Sequence, residues 1–458
     1  MIGRAVRYLD SRTGTAPLVR RGLRYVFPDH WSFLLGEVAL YAFVVLLGTG
    51  IYLTFFFTAS SVQVAYDGSY LPLNGQPMSE AYRSVLEIST GVKAGLLIRQ
   101  AHHWAANIFL VAIVLHVLRI FFTGAFRKPR EVTYYVGLAM LVVALAEGFI
   151  GYSLVDDLLS GMGLAIAYSV AMSIPLIGDH LAALVWGDAF PGGSGFWPRM
   201  YIAHVLILPI AIGTLLAAHL ALVAMRHHTQ FRRSDRQTER RIVGTRLFPA
   251  QAVRSTGLFF VTAGVIFLLG GLVQINPIWQ WGPYHVDVST NGAQPDWYLG
   301  WLIGALRLMP SWEPSVGGHT IIPNPFWGGV LLPSLLFAFL FLWPTIERRM
   351  SGDREAHNIL DRPRDRPQRT AIGLAIVTFL VLILLAGSAD RVDVMFGVSY
   401  SAQVNVYRVL VWVLPVATYF VTRRACTELL AGEAVDAARR RAIGEAIDER
   451  RAASSDDA

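Results

Sequence analysis

The segment RQAHHWAANIFLVAIVLHVLR, residues 99–119, decides the fold. Its interior is apolar for long enough to cross a bilayer, yet it carries His102, His103 and His116 and is bounded by Arg99 and Arg119. A spanning helix needs about 20 apolar residues at about 1.5 Å rise each. Ionisable side chains are expensive in lipid and mark function where they occur. His102 and His116 are 14 positions apart, which on a helix is an offset of about 40° over a rise of about 21 Å. They share one face at two depths. His103 and His116 differ by about 140°, so His102 is the better companion for His116.

Working outward, seven further segments are long and apolar enough to span, giving eight near 33–57, 98–122, 132–155, 200–225, 255–276, 326–346, 370–388 and 404–422. Composition agrees. Of 458 residues 54% are hydrophobic and 16% charged, against about 25% charged in a typical soluble domain. The predicted fold class is all-α integral membrane: an N-terminal four-helix part over 33–225 and a C-terminal four-helix part over 255–422. These are flanked by segments 1–32, 226–254 and 423–458. Net charge is +7, but with so apolar a chain lipid, not nucleic acid, is the expected partner. Cys426 is the sole cysteine. That excludes an intrachain disulfide, an iron–sulfur cluster and covalent haem attachment through a C-x-x-C-H motif.

Basic residues set the orientation. With the N-terminus inside, 31 of the 39 Lys and Arg fall in inside segments and five in outside loops. Both termini are therefore expected on the cytoplasmic side. Arg99, Arg119 and Arg199 are left over, in or at the spans. The outside loops are elaborate: 156–198 holds the helix-like stretch Leu158–Ala171, and 277–325 holds Pro295-Asp296-Trp297-Tyr298. The tail after Cys426 reads as a charged helix ending in disorder.

The fourth span adds His204 and His219, 15 apart, an offset of about 60° over about 22 Å. Two helices with two histidines each at matched depths suit bis-histidine ligation of two haems, His102 with His204 outside and His116 with His219 inside. A lone intramembrane histidine is more often an interhelical hydrogen bond. Zinc would find only two ligands in each layer, and proton relays need no layers. Arg99, Arg119 and Arg199 each lie within about a turn and a half of a ligand, where a haem propionate would pair with them; snorkelling is the plainer reading for Arg99 and Arg199. Gly36 and Gly50, and Gly137 and Gly151, repeat the 14-residue interval and would place a small residue beside each macrocycle.

This constellation resembles the cytochrome b subunit of cytochrome bc-type complexes, from about Phe27 to Phe420. The most specific local match is Arg-x-x-His-His-Trp, His116-Val-Leu-Arg119 and Thr-Gly-Ala-Phe-Arg-Lys-Pro-Arg-Glu up to Glu131. It is similar to the chloroplast and cyanobacterial branch and its Gram-positive relatives, which share the 15-residue interval. Val155-Asp156-Asp157-Leu158-Leu159-Ser160-Gly161 and Phe27-Pro28-x-His30-Trp31-Ser32-Phe33 resemble the actinobacterial form. The resemblance implies two non-covalent b-type haems, oxidation of quinol at an outer site, quinone reduction at an inner site and proton translocation. It also implies a Rieske iron–sulfur partner, a c-type cytochrome partner, a homodimeric assembly (with or without a terminal oxidase), the bacterial cell membrane, and menaquinone as substrate. Pro295-Asp296-Trp297-Tyr298 resembles the family's Pro-Glu-Trp-Tyr motif, which assigns the outer site to Pro295, Asp296, Tyr298 and Gly163. A quinol losing two electrons also sheds protons, so a carboxylate acceptor is needed. Asp296 is the candidate, Tyr298 its positioning partner; a helix cap after Pro295 is the plainer reading of Asp296.

Three departures stand out. Asp296 replaces the usual Glu, Val155-Asp156 replaces the usual Pro-Trp, and Leu34 occupies the position of the cysteine that binds a third, covalent haem, so none is expected. For the inner site, Ser32 and His227 are the candidates within a cluster that includes His30, Trp31, Arg226 and His228. Glu37 and Glu147 are intramembrane carboxylates; Glu37 could feed the inner site and Glu147 has no assigned role. The alternatives are a transmembrane di-haem reductase or anchor subunit of another redox complex, and a transporter without cofactor.

Overall fold

The computed structural model describes residues 8, 10–187, 190–193, 195–232, 234–290 and 295–456. Among these, eight helices are long and apolar enough to cross a membrane: Trp31–Thr54, Gly95–Thr123, Glu131–Ser153, Phe196–Arg226, Leu247–Leu272, Trp327–Ser351, Pro367–Gly387 and Tyr400–Ile447. All eight expected spans are present. The differences lie at the ends, where hydropathy is least informative. The fifth span starts earlier than expected, and the last runs on as one helix, Tyr400–Asp456, through the charged tail.

The first and second spans pack together, as do the third and fourth, and the second touches the third. The fifth lies against the first two, and its Gly270 sits so close to Ala101 that a Cβ there would stand 2.9 Å from the Ala101 nitrogen. Small residues permit such approach between membrane helices. The shared core comprises Ala39, Ala42 and Phe43, Ala101, Ala105, Phe109 and Ala112, then Ala144, Ile212, Ile266 and Tyr298. The seventh and eighth spans pair, and both contact the short helix Trp297–Leu308. Outward faces carry exposed Ile51, Leu206, Ile210, Phe260 and Trp412, the surface that lipid requires.

Chain ends and loops are laced at the face carrying most of the Arg. Val26–Phe27 pairs with Thr245–Arg246. Arg130 donates to the carbonyls of Arg226 and His357 and to Asn358 Oδ1. Arg369, at 3% exposure, bonds Glu347 and Asp361, each at 2.7 Å. On the opposite face, Asp157 caps Leu158–Met172 through a reciprocal bond with Ser160, and Arg307 grips Asp390 with two bonds of 2.9 and 2.8 Å.

Candidate functional site

The second span turns His102 and His103 to different neighbours, as adjacent helical residues must. His102 faces the fourth span: its ring centre is 6.2 Å from that of His204, the planes crossing at 80°. Two imidazoles on one iron, at about 2 Å per metal–nitrogen bond, require ring centres about 6 Å apart. His116 and His219 stand further along the same two spans, each against a glycine of a neighbouring span.

Each expected glycine faces one of these rings. A Cβ at Gly36 would sit 3.5 Å from His116 Cε1, at Gly50 3.3 Å from His102 Cε1, at Gly137 3.5 Å from His219 Cε1, and at Gly151 2.4 Å from His204 Cε1. Hydrogen bonds select the tautomer of two of these rings. Thr49 Oγ1 donates to Val45 O, so its 2.9 Å contact with His102 Nδ1 must be one it accepts. The Thr133 carbonyl likewise takes the proton of His219 Nδ1 at 3.1 Å. Nε2 of both rings is left free for a metal. His204 sits in a π-turn, Ala203–Ile207, a distortion common at functional sites.

The arginines divide. Arg99 is buried and Arg119 half-buried, and each leaves a buried Nε and Nη2 without a hydrogen-bond partner among the described residues. Such orphaned guanidinium atoms are costly unless an anion meets them, and haem carboxylates at both layers fit. Arg199 donates to loop carbonyls, to Gly195 O at 2.9 Å and Leu184 O at 3.1 Å.

A cavity of about 250 Å³, partly open to the surroundings, is lined by Gly50, Arg99, His102, His204, Asp296 and Tyr298. Asp296 starts the helix Trp297–Leu308 but makes no side-chain cap bond. Its carboxylate instead meets His103 Nε2 at 2.7 and 2.8 Å, and Tyr298 Oη donates to it at 3.0 Å. His103, set aside in the sequence as a ligand, is the partner that sequence reasoning missed; its offset from His116 was the available signal. Tyr298 is buried over Gly148, where a Cβ would meet its hydroxyl at 2.7 Å. Pro295 precedes this pair on the backbone. Gly163 is not among the residues lining this cavity; a Cβ there would sit 3.8 Å from the Tyr152 ring.

Toward the other face, the expected inner residues separate. His228 packs among Tyr25, Phe27 and Phe33, and burial, with the Arg119 and Arg130 charges, pushes its ring down to about 4. His227 stacks on Tyr25 but is exposed. Ser32 is buried and bonds His30. Arg119 lies 4.3 Å above the Phe33 ring. Glu37 is held by Ser255, Gln251 and Tyr41. Glu147 Oε1 lies 3.0 Å from His204 Nδ1.

A helical membrane protein with paired histidine layers inside a four-span bundle has the build of a b-type cytochrome. A family model described as "Cytochrome b(N-terminal)/b6/petB" matches residues 107–283. The chain is 48% identical over 421 residues to a cytochrome bc1 complex cytochrome b subunit of Corynebacterium diphtheriae, covering 92% of this chain and 77% of that one. It is 46% identical over 430 residues to that of Mycobacterium tuberculosis (94% and 78%), and 44% identical over 426 to that of Streptomyces coelicolor (93% and 78%). A solved structure titled "Hyperthermophilic respiratory Complex III" shares the fold, with TM-score 0.69 and 18% identity over 91% of this chain and 98% of that one. The chain belongs to the cytochrome b subunits of cytochrome bc1 complexes, membrane proteins of quinol–cytochrome c oxidoreductase that bind b-type haem.

Proposed function

We propose that this chain holds two b-type haems, an outer one on His102 and His204 and an inner one on His116 and His219, and oxidises menaquinol in the cavity beside the outer layer. The observation that carries this reading is the fourfold pairing of imidazole and glycine together with the orphaned guanidiniums of Arg99 and Arg119. When bound, the haems supply a one-electron relay between the two layers. Each guanidinium then neutralises a haem carboxylate that would otherwise be buried unpaired.

The chain's own residues handle the protons. A quinol hydroxyl placed against Asp296 gives its proton to the carboxylate, which His103 Nε2 and Tyr298 Oη hold in one orientation. The apolar lining, with Leu46, Phe109 and Ile212, excludes competing water. At the inner face, quinone reduction would draw protons past Ser32, His30 and His228, with Arg119 between them and the inner layer; His227 serves from the surface. Both termini then lie in the cytoplasm of a bacterial cell and the Asp296 loop faces outward, as the 31 basic residues of the inside segments require. The functional division is 33–225 for the haems and 255–422 for the outer loop and partner contacts. A Rieske protein and a c-type cytochrome accept the second electron, in a homodimeric complex that can adjoin a terminal oxidase.

The test is a reduced-minus-oxidised spectrum of the purified complex. Two b-type components are expected; His102→Ala or His204→Ala should remove only the outer one, and His116→Ala or His219→Ala only the inner one. A colourless preparation under full haem supply sinks the reading.

A further inference from the structure

We propose that Glu147 is a positioning residue for the axial ligand His204 and holds the reduction potential of the outer haem below that of the inner one. The inference rests on His102 and His204 carrying the outer haem, and it concerns a residue for which the sequence offered no role.

The four ligands differ in what meets Nδ1. His102 meets the Thr49 hydroxyl, and His219 the Thr133 carbonyl. His116 Nδ1 is buried without a partner. His204 alone has a carboxylate beside it, with Glu147 Oε1 3.0 Å from Nδ1. The approach is close but off the hydrogen-bond axis, so His204 Nδ1 and Glu147 Oε2 both remain buried and unpartnered. Two orphaned polar atoms on residues already in contact make a costly arrangement inside lipid unless ligand binding engages them.

Helix geometry explains the placement. Glu147 and Gly151 are one turn apart on the third span and share a face. Gly151 admits the His204 ring so closely that any Cβ would intrude, and the carboxylate one turn away reaches the ring's far nitrogen. His204 lies within the π-turn Ala203–Ile207. Glu147 also lines the cavity that holds Tyr298 and Asp296.

A ligating histidine that donates its second N–H to a carboxylate becomes a stronger electron donor than one bonded to a neutral hydroxyl or carbonyl. Greater donation stabilises the oxidised iron, so the outer haem becomes harder to reduce. The inner layer has no such anion on His116 or His219 in the contacts described above. The resulting gradient runs from outside to inside, in the direction the electron must travel, and it is built by one side chain.

The experiment is a spectroelectrochemical titration of the purified, haem-loaded complex carrying Glu147→Gln, which keeps shape and an acceptor oxygen but removes the charge. The expected result is an outer component about tenfold easier to reduce, a rise of about 59 mV for a one-electron couple, with the inner component unmoved. An outer component of unchanged potential overturns the proposal, even if turnover falls, because Glu147 would then serve the quinol and not the ligand. Should Glu147→Gln lose the outer haem, Glu147→Asp decides: recovery of the haem at the parent potential supports a charge-bearing role, and continued loss overturns it in favour of simple packing. His204→Ala is the control for the ligand assignment. If it leaves both components in place, that assignment fails and the proposal with it.

Discussion

His103 Nε2 lies 2.7 and 2.8 Å from the two carboxylate oxygens of Asp296, joining the second span to a loop nearly two hundred residues further along the chain. The contact answers the question raised by a shorter carboxylate at this motif. An aspartate reaches one methylene less far than a glutamate, and here a histidine comes out to meet it.

Asp296→Asn should lower quinol-dependent cytochrome c reduction by about 10² or more, the usual contribution of a placed general base, while both haem components persist. Asp296→Glu should keep much of the rate. Steady-state turnover of the purified complex, set against its redox spectrum, checks this; near-normal turnover in Asp296→Asn removes Asp296 from the mechanism.

The four glycines should rank by the room left at each. Gly151→Ala intrudes on His204 at 2.4 Å and should abolish the outer haem; Gly50→Ala, at 3.3 Å from His102, should weaken it. Gly36→Ala and Gly137→Ala, at 3.5 Å, are ordinary contacts and should retain the inner haem. Haem-to-protein ratio measured on each variant gives the order directly.

Asp156 predicts a pH effect outside the spans. Burial raises its carboxyl from 3.8 to about 7, with the Ser79 hydroxyl opposing and Asp157 adding to the rise. Between these values the folded chain keeps a proton that the unfolded chain has lost. Stability therefore falls as pH rises through that window, by at most about 1.4 kcal/mol per unit, and levels off above it. Asp156→Asn tolerates the left-handed backbone at this position (φ 55°). It should melt above the parent at pH 8 and with it near pH 4, as followed by thermal unfolding in detergent.

Arg369 offers a test of the inner face. Removing it by Arg369→Ala strands Glu347, which already has one oxygen without a partner, and breaks the bond to Asp361. A loss of about 3 kcal/mol or more is expected, visible as a lower melting temperature with an unaltered haem spectrum.

The eight spans were legible as long apolar runs, and the histidine and glycine intervals because each is a fixed spacing along one helix. What stayed hidden depends on how separate helices meet. Nothing local in His103 announces Asp296, and Glu147 gains its neighbour only when the third and fourth spans pack. Arg199 shows the converse: its sequence position, five residues before His204, suggested an anion partner, yet a turn of loop carbonyls at Gly195 and Leu184 claims it first. The charged helix expected after Cys426 is present, but its unbroken continuity with the last span as far as Asp456 was not foreseen. Its distal part is charged and water-facing, so hydropathy falls silent while helix propensity, high across Ala-Ala-Arg-Arg-Arg-Ala, continues.

His102 and His103 occupy consecutive positions on one rigid rod and point about 100° apart. On the proposed reading, one serves iron and the other serves the quinol's carboxylate. Electron and proton therefore leave a single substrate along diverging bearings fixed by the pitch of a helix. Any twist of that helix that improved one alignment would spoil the other, so the bifurcation needs no moving part at this point.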